Sequence, residues 1–230
     1  MAKCFIVRGS LAMCERHERI GYENGDFSMM RRMMLTVGTV AIAAMSSSAF
    51  AGDCAGCAKI AKAGDGFCTG CGKGQAFGVQ LTSQKLHAAL AGEKVDAATV
   101  KCPGCKAALA TEGKCEHCKS FAAEGKMFHS PVAHALAKGK PYTAEQAGHC
   151  PSCAKGFKEN GFCSSCDTGF VAGRIFEGKE SHDAAAAAYK TLNSAAEACK
   201  KCEGCATAMV TDGKCEPCKT EFKDGKSTKG

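Results

Sequence analysis

The sequence predicts a small, metal-dominated α+β fold: four tandem β-hairpin units, each clamped by cysteine sulfur and linked to the next by short helices. Three observations predict it. Sixteen of the 19 cysteines form eight C-x-x-C pairs, arriving two by two in four blocks. The blocks recur at near-constant intervals, their first cysteine advancing by 48, 48 and then 52 residues, which marks an internal repeat. Large apolar side chains are scarce: of the 179 residues from Gly52 onward, 23 are Leu, Ile, Val or Phe, and none is Trp. That share lies well below the roughly 20% at which chains stop collapsing unaided. Such a chain cannot offset an ordering cost of about 1–2 kcal/mol per residue by burial alone. A structural zinc ion contributes on the order of 10–16 kcal/mol apparent, so one per block could hold a unit that has almost no core. Without metal or disulfides the chain is expected to be largely unfolded.

The elements follow in order. Residues 29–51 read as a signal peptide. Arg31 and Arg32 supply the positive start, Met33 to Met45 the apolar stretch of 13 residues, and Ala49-Phe50-Ala51 the cleavage signature. The stretch is shorter than the roughly 20 apolar residues a membrane span needs. Translation is expected to begin at Met29 or Met30, leaving residues 1–28, with Cys4 and Cys14, as a mis-assigned upstream extension. The mature chain is then periplasmic or secreted and not a membrane protein. A cytoplasmic protein with an apolar N-terminal helix is the alternative.

The first unit, residues 52–78, carries Cys54, Cys57, Cys68 and Cys71. In the helical spacer 79–101, Ser83 can cap a helix with Leu86, Ala89 and Leu90 on one side. The second unit, 102–122, carries Cys102, Cys105, Cys115 and Cys118. Spacer 123–149 has Ser130 as a cap with Pro131 at the first helical position, turning Val132 and Leu136 inward. The third unit, 150–176, carries Cys150, Cys153, Cys163 and Cys166, with a hairpin segment over Phe170 to Phe176. Spacer 177–201 predicts a longer alanine-rich helix from Ser181, with Asp183 in its first turn and Tyr189, Leu192, Ala196 and Cys199 at helical spacing. The fourth unit, 202–222, carries Cys202, Cys205, Cys215 and Cys218, and a polar tail, 223–230, follows. A glycine precedes each second pair, at Gly66, Gly113, Gly161 and Gly213, where a turn returns the chain to the metal. A phenylalanine follows each block, at Phe77, Phe121, Phe170 and Phe222.

Four thiolates on two knuckles are what one tetrahedral zinc requires, with iron as the second candidate. Cys150-Pro151-Ser152-Cys153, followed after nine residues by Cys163-Ser164-Ser165-Cys166, resembles the short zinc ribbons of double-zinc-ribbon proteins, and the likeness extends over all four blocks. That family places glycine after each knuckle; Gly72 fits, while Ala58, Lys106, Lys119, Ala154, Asp167, Ala206 and Lys219 depart. The resemblance implies four tandem zinc-ribbon β-hairpin units linked by short helices, with structural ions and a role in binding a protein partner. A competing frame pairs knuckles across the spacer. Cys68-Thr69-Gly70-Cys71-Gly72 with Cys102-Pro103-Gly104-Cys105 is similar to the rubredoxin signature, which implies one iron and electron transfer. It orphans Cys54-Cys57 and Cys215-Cys218, whereas the short frame uses every pair. Both satisfy the ligand chemistry.

Other classes are excluded or reduced. No C-x-x-C is followed by histidine, so c-type haem attachment fails. From Gly52 onward, 24 Lys and Arg oppose 19 Asp and Glu, and four Cys4-bound zinc ions would turn that +5 into −3, so nucleic-acid binding is not expected. Lys106, Lys119, Lys201 and Lys219 sit beside cysteines, where they can soften that charge. Export makes disulfides the main rival, with thiol redox chemistry behind it, although nothing supplies the βαβ setting of a redox pair. Cys199 reads as a small buried hydrophobe, His117 and His149 as solvated side chains, and His87 and His134 as matched packing positions. No Ser-His-Asp set or paired catalytic carboxylates occur, and an enzyme is not expected. The expected function is an exported metal-binding scaffold with a protein partner; a metal store or buffer is the alternative.

Overall fold

The computed structural model describes residues 54–229; the expected extension, the signal peptide and residues 52–53 lie outside them. The first unit runs through α1 (Ala55–Ala63), β1 (Gly66–Cys68), β2 (Lys73–Ala76) and β3 (Val79–Leu81), followed by α2 (Gln84–Leu90) and β4 (Glu93–Lys94). The second is α3 (Pro103–Thr111), β5 (Lys114–Cys115), β6 (Ser120–Ala123) and β7 (Lys126–Phe128), followed by α4 (Pro131–Ala137), β8 (Lys140–Pro141) and α5 (Ala144–Ala147). The third is α6 (Pro151–Glu159), β9 (Phe162–Cys163), β10 (Thr168–Val171) and β11 (Arg174–Glu177), followed by α7 (Lys179–Cys199). The fourth is α8 (Glu203–Thr211), β12 (Lys214–Cys215), β13 (Thr220–Lys223) and β14 (Lys226–Lys229). No helix among the described residues is long and apolar enough to cross a membrane.

The units are therefore not pairs of β-knuckles. In each, the first C-x-x-C opens a nine-residue helix, and only the second pair lies on a strand and turn. Local chemistry accounts for this. The first cysteine takes an extended N-cap conformation, and Pro103 and Pro151 occupy the first helical position, where a missing N–H costs nothing. The departures from glycine now have an explanation. Ala58, Lys106, Ala154 and Ala206 are inside helices, where glycine would only weaken the turn. After the second pair, Gly72, Lys119, Asp167 and Lys219 all sit at φ 50 to 63, the left-handed region that favours glycine.

Each hairpin turns on two residues with positive φ, Phe77-Gly78, Glu124-Gly125, Ala172-Gly173 and Asp224-Gly225, which matches the right-handed twist of its strands. A side chain at the end of the knuckle helix secures that turn. The backbone N–H of Phe77, Glu124, Ala172 and Asp224 donates to Asp65, Glu112, Asn160 and Asp212 respectively, at 2.8, 3.2, 2.8 and 2.8 Å. Asn160 also terminates α6 at φ 53. Asn160→Ala loses the bond and leaves a Cβ-bearing residue without its polar support in the left-handed region. It is expected to lower stability by about 1–2 kcal/mol, measured by denaturant titration at saturating metal.

The four phenylalanines that follow the blocks do not occupy equivalent positions. Phe121 lies three residues after its block, Phe170 and Phe222 four, and Phe77 six, so they fall on different strand faces or in the turn. What does recur is a Phe–His contact in three units: Phe67–His87, Phe121–His134 and Phe162–His182, with ring centroids 5.8, 5.0 and 5.6 Å apart. A Cβ on Gly74 would lie 2.4 Å from the Phe67 ring, so the glycine makes room for it.

All four sheets are antiparallel, in the orders β1-β2-β3, β4-β7-β6-β5, β8-β11-β10-β9 and β12-β13-β14. β4 and β8, in the spacers, each add an edge to the hairpin of the following unit. The third spacer is taken up by α7, which begins at Lys179, two residues before the expected Ser181, with Gly178 as its N-cap. Asp183 pairs with Lys179 at 2.6 Å.

The expectation of units with almost no core needs correcting. One apolar cluster draws on every unit: Phe77, Leu81, Leu86 and Leu90; Phe128, Val132 and Leu136; Val171, Phe176 and Leu192; Ala206 and Val210. α7 and α8 lie against each other at its centre, with α4 on both and α2 on α8. Two serines tie this packing together. Ser83 and Ser130 cap α2 and α4, accepting from the N–H of Leu86 and Ala133 at 3.0 Å. Their hydroxyls donate onward, Ser83 to the Glu203 carboxylate and Ser130 to the Val210 carbonyl, both on α8. A few apolar residues per unit suffice because most of the large ones face one shared interior, with smaller clusters left around the first three cysteine groups.

Candidate metal centres

Each centre is built by a helix and a hairpin. The knuckle helix presents the first cysteine from its N-cap and the second from its first turn; β1, β5, β9 or β12 ends on the third, and the turn after it carries the fourth. The sulfurs converge into four groups, each within 4.8 Å of one another: Cys54, Cys57, Cys68 and Cys71; Cys102, Cys105, Cys115 and Cys118; Cys150, Cys153, Cys163 and Cys166; Cys202, Cys205, Cys215 and Cys218. The within-block frame is thus the one the structure brings together. The cross-spacer frame is not realised, since Cys68 and Cys71 lie in one group and Cys102 and Cys105 in another. Cys199 belongs to no group and packs at the edge of the shared core. His117 touches the Cys118 sulfur through Nδ1 at 3.6 Å, and His149 contacts the Gln146 carbonyl at 2.6 Å.

The separations suit one central ion. Sulfurs about 2.3 Å from a tetrahedral ion are about 3.8 Å from one another. The Sγ–Sγ distances include 3.5 Å for Cys54–Cys57 and Cys54–Cys68, 3.1 Å for Cys54–Cys71, 3.8 Å for Cys102–Cys115, 4.0 Å for Cys150–Cys163 and 3.6 Å for Cys202–Cys215. No disulfide joins any of the seventeen cysteines of the described residues. In every group the fourth cysteine is exposed, while the third is buried.

Electrostatics within a group are uneven. The Cys57 N–H donates to the Cys54 sulfur at 3.4 Å, and that bond is the main cause holding the Cys54 thiol down at about 6. At Cys102, Cys150 and Cys202 the corresponding amide falls outside strict hydrogen-bond geometry but remains the leading cause, lowering them to about 6, 7 and 7. Two others in each group are pushed up. Cys57 rises to about 12 through its bond to Cys54, and Cys118 to about 12 through Cys105; burial raises Cys105, Cys153 and Cys205. Cys71, Cys166 and Cys218 are raised as well. In each free group the first cysteine is thus lowered towards the neutral range, and a bound cation must displace protons from at least the two raised thiols. Apparent metal affinity is therefore expected to rise with pH across the neutral range, because fewer protons compete. Titrating metal into weakly buffered protein should release two or more protons per ion.

The knuckle helices and the carboxylate or amide clasp were not anticipated from the sequence. The signals were present: proline after Cys102 and Cys150, and the recurring Asp65-Gly66, Glu112-Gly113, Asn160-Gly161 and Asp212-Gly213 pairs. The chain matches no protein-family model, no curated protein and no solved structure. Four Cys4 groups, each beside a small antiparallel sheet in an α+β fold, could each hold a metal ion.

Proposed function

We propose that this chain is an exported zinc-binding protein, in which four structural zinc ions held by zinc-ribbon-like units brace a scaffold for a protein partner. The observation that carries the reading is the convergence of sixteen thiols into four closed sets whose separations bracket the edge of a zinc–thiolate tetrahedron. A closed set of four sulfurs leaves no open position for a reacting water, which supports binding over catalysis. Iron suits the same ligands, but would add colour and a redox couple. Export rests on the positive, apolar and small-residue segments of residues 29–51.

The test is elemental analysis of protein purified from its native compartment, with thiol titration after metal removal. Four zinc ions per chain and at least sixteen titratable thiols are expected. Protein without metal and with every pair oxidised overturns the reading, and an N-terminus at Met1 overturns export. One observation favours a metal store instead: the exposed fourth cysteine of each group gives a competing ligand access to the ion. A store would release all four of its ions gradually with the whole fold intact, whereas a scaffold stripped of all four ions unfolds.

A further inference from the structure

We propose that the third cluster is the exchangeable site of the four, and that Ser152 makes it so. The inference rests on the zinc reading and concerns one residue position. The third residue of the leading C-x-x-C is Gly56, Gly104 and Gly204 in the first, second and fourth clusters, and Ser152 in the third. A Cβ placed on those glycines would lie 2.8, 2.8 and 2.9 Å from the sulfurs of Cys68, Cys115 and Cys215, closer than packed atoms tolerate. Three clusters therefore keep this spot empty of side chain so that the third sulfur can close on the ion.

Ser152 carries that Cβ, and the sulfur at the matching position is Cys163. The separation between first and third sulfurs follows the substitution. It is 3.5, 3.8 and 3.6 Å in the glycine-bearing clusters and 4.0 Å between Cys150 and Cys163. Of these first-to-third separations, that of the third cluster is the one that exceeds the edge of about 3.8 Å that zinc sets.

Its surroundings let it lose an ion without losing its shape. Tyr142, Phe157 and Phe170 form an aromatic triad with ring centroids 5.7–6.4 Å apart, packed with Cys153 and Cys163. Phe170 is 1% exposed. Around the first cluster, by contrast, the packed residues are Ile60 and the cysteines themselves. The third unit thus has a weakened ion site inside a frame that other forces hold. An ion that leaves such a site can return to it.

The experiment loads the purified full chain with zinc, counts bound ions by native mass spectrometry, and then titrates EDTA. Thiols freed at each step are alkylated with N-ethylmaleimide and located by peptide mapping. The first ion lost should free Cys150, Cys153, Cys163 and Cys166 together, with the near-ultraviolet signal of the Tyr142 triad retained. Ser152→Gly should raise the EDTA concentration for that loss about tenfold, the lower end of what residues supporting a metal ligand contribute. Gly104→Ser should move the second cluster into the early-release position. Release beginning at another cluster, or an unchanged order in Ser152→Gly, overturns the inference while leaving the zinc reading intact. A chain that takes up no zinc before EDTA is added overturns the zinc reading itself.

Discussion

Cys205→Ser in the metal-loaded chain should strip hydrogen-exchange protection from α2, α4, α7 and α8 together, whereas Cys57→Ser should strip it only from residues around α1 and β1. The two cysteines occupy the same position in their clusters, the first turn of a knuckle helix. What differs is the other side of that helix. α8 places Ala206, Ala208 and Val210 in the interior, takes the Ser130 hydroxyl on its Val210 carbonyl, and meets Ser83 through Glu203. α1 buries Cys57 and Ile60 against its own hairpin. An ion site worth on the order of 10 kcal/mol is comparable to the whole stability of a domain, roughly 5–15 kcal/mol. Its loss at the fourth cluster reaches the shared core, while at the first it ends in a local opening. Equal, chain-wide loss of protection in both variants would mean that the clusters are not graded in this way.

Leu192→Ala is expected to lower the stability of the metal-saturated protein by about 2–5 kcal/mol, with the four ions still bound. Leu192 is 0% exposed on α7, in the cluster shared by all four units. Truncating it removes the transfer free energy of its side chain and leaves a cavity that neighbouring helices only partly close. A chain this size shifts in midpoint by roughly 2–4 °C per kcal/mol, so thermal unfolding should move by several degrees. The informative readout is its extent. Probes in the second and fourth units should shift together, because one interior joins them. A shift confined to the third unit would return the molecule to four independent metal-stapled modules.

Much of the candidate site was legible in local spacing. The sulfur pairs and the two frames that could join them were readable from spacing, but a loop of nine or ten residues can also run extended, so the folded hairpins were needed to bring each block's four sulfurs together. The helix caps Ser83 and Ser130 were readable too, each needing only the residues directly after it. The knuckle helices were not. α3 and α6 bury only Cys105 with Ala108 and Cys153 with Gly156, so no large apolar residues mark them, and proline after the first cysteine was the better signal. The phenylalanine after each block was readable, but a recurrence counted to within a few residues says nothing of strand face, since one residue of offset reverses it.

The sequence by itself determined the candidate ligand atoms and the fourfold repeat, since these depend on groups a few bonds apart; it misplaced the turns before the second pairs, where the left-handed residues are Glu112, Asn160 and Asp212 and not the glycines that follow them. Only the tertiary structure decided that Leu86, Leu136, Leu192 and Val210 would meet in one interior. Residues tens of positions apart signal nothing to one another along the chain; they become a core when the helices that carry them are stacked and water is expelled between them.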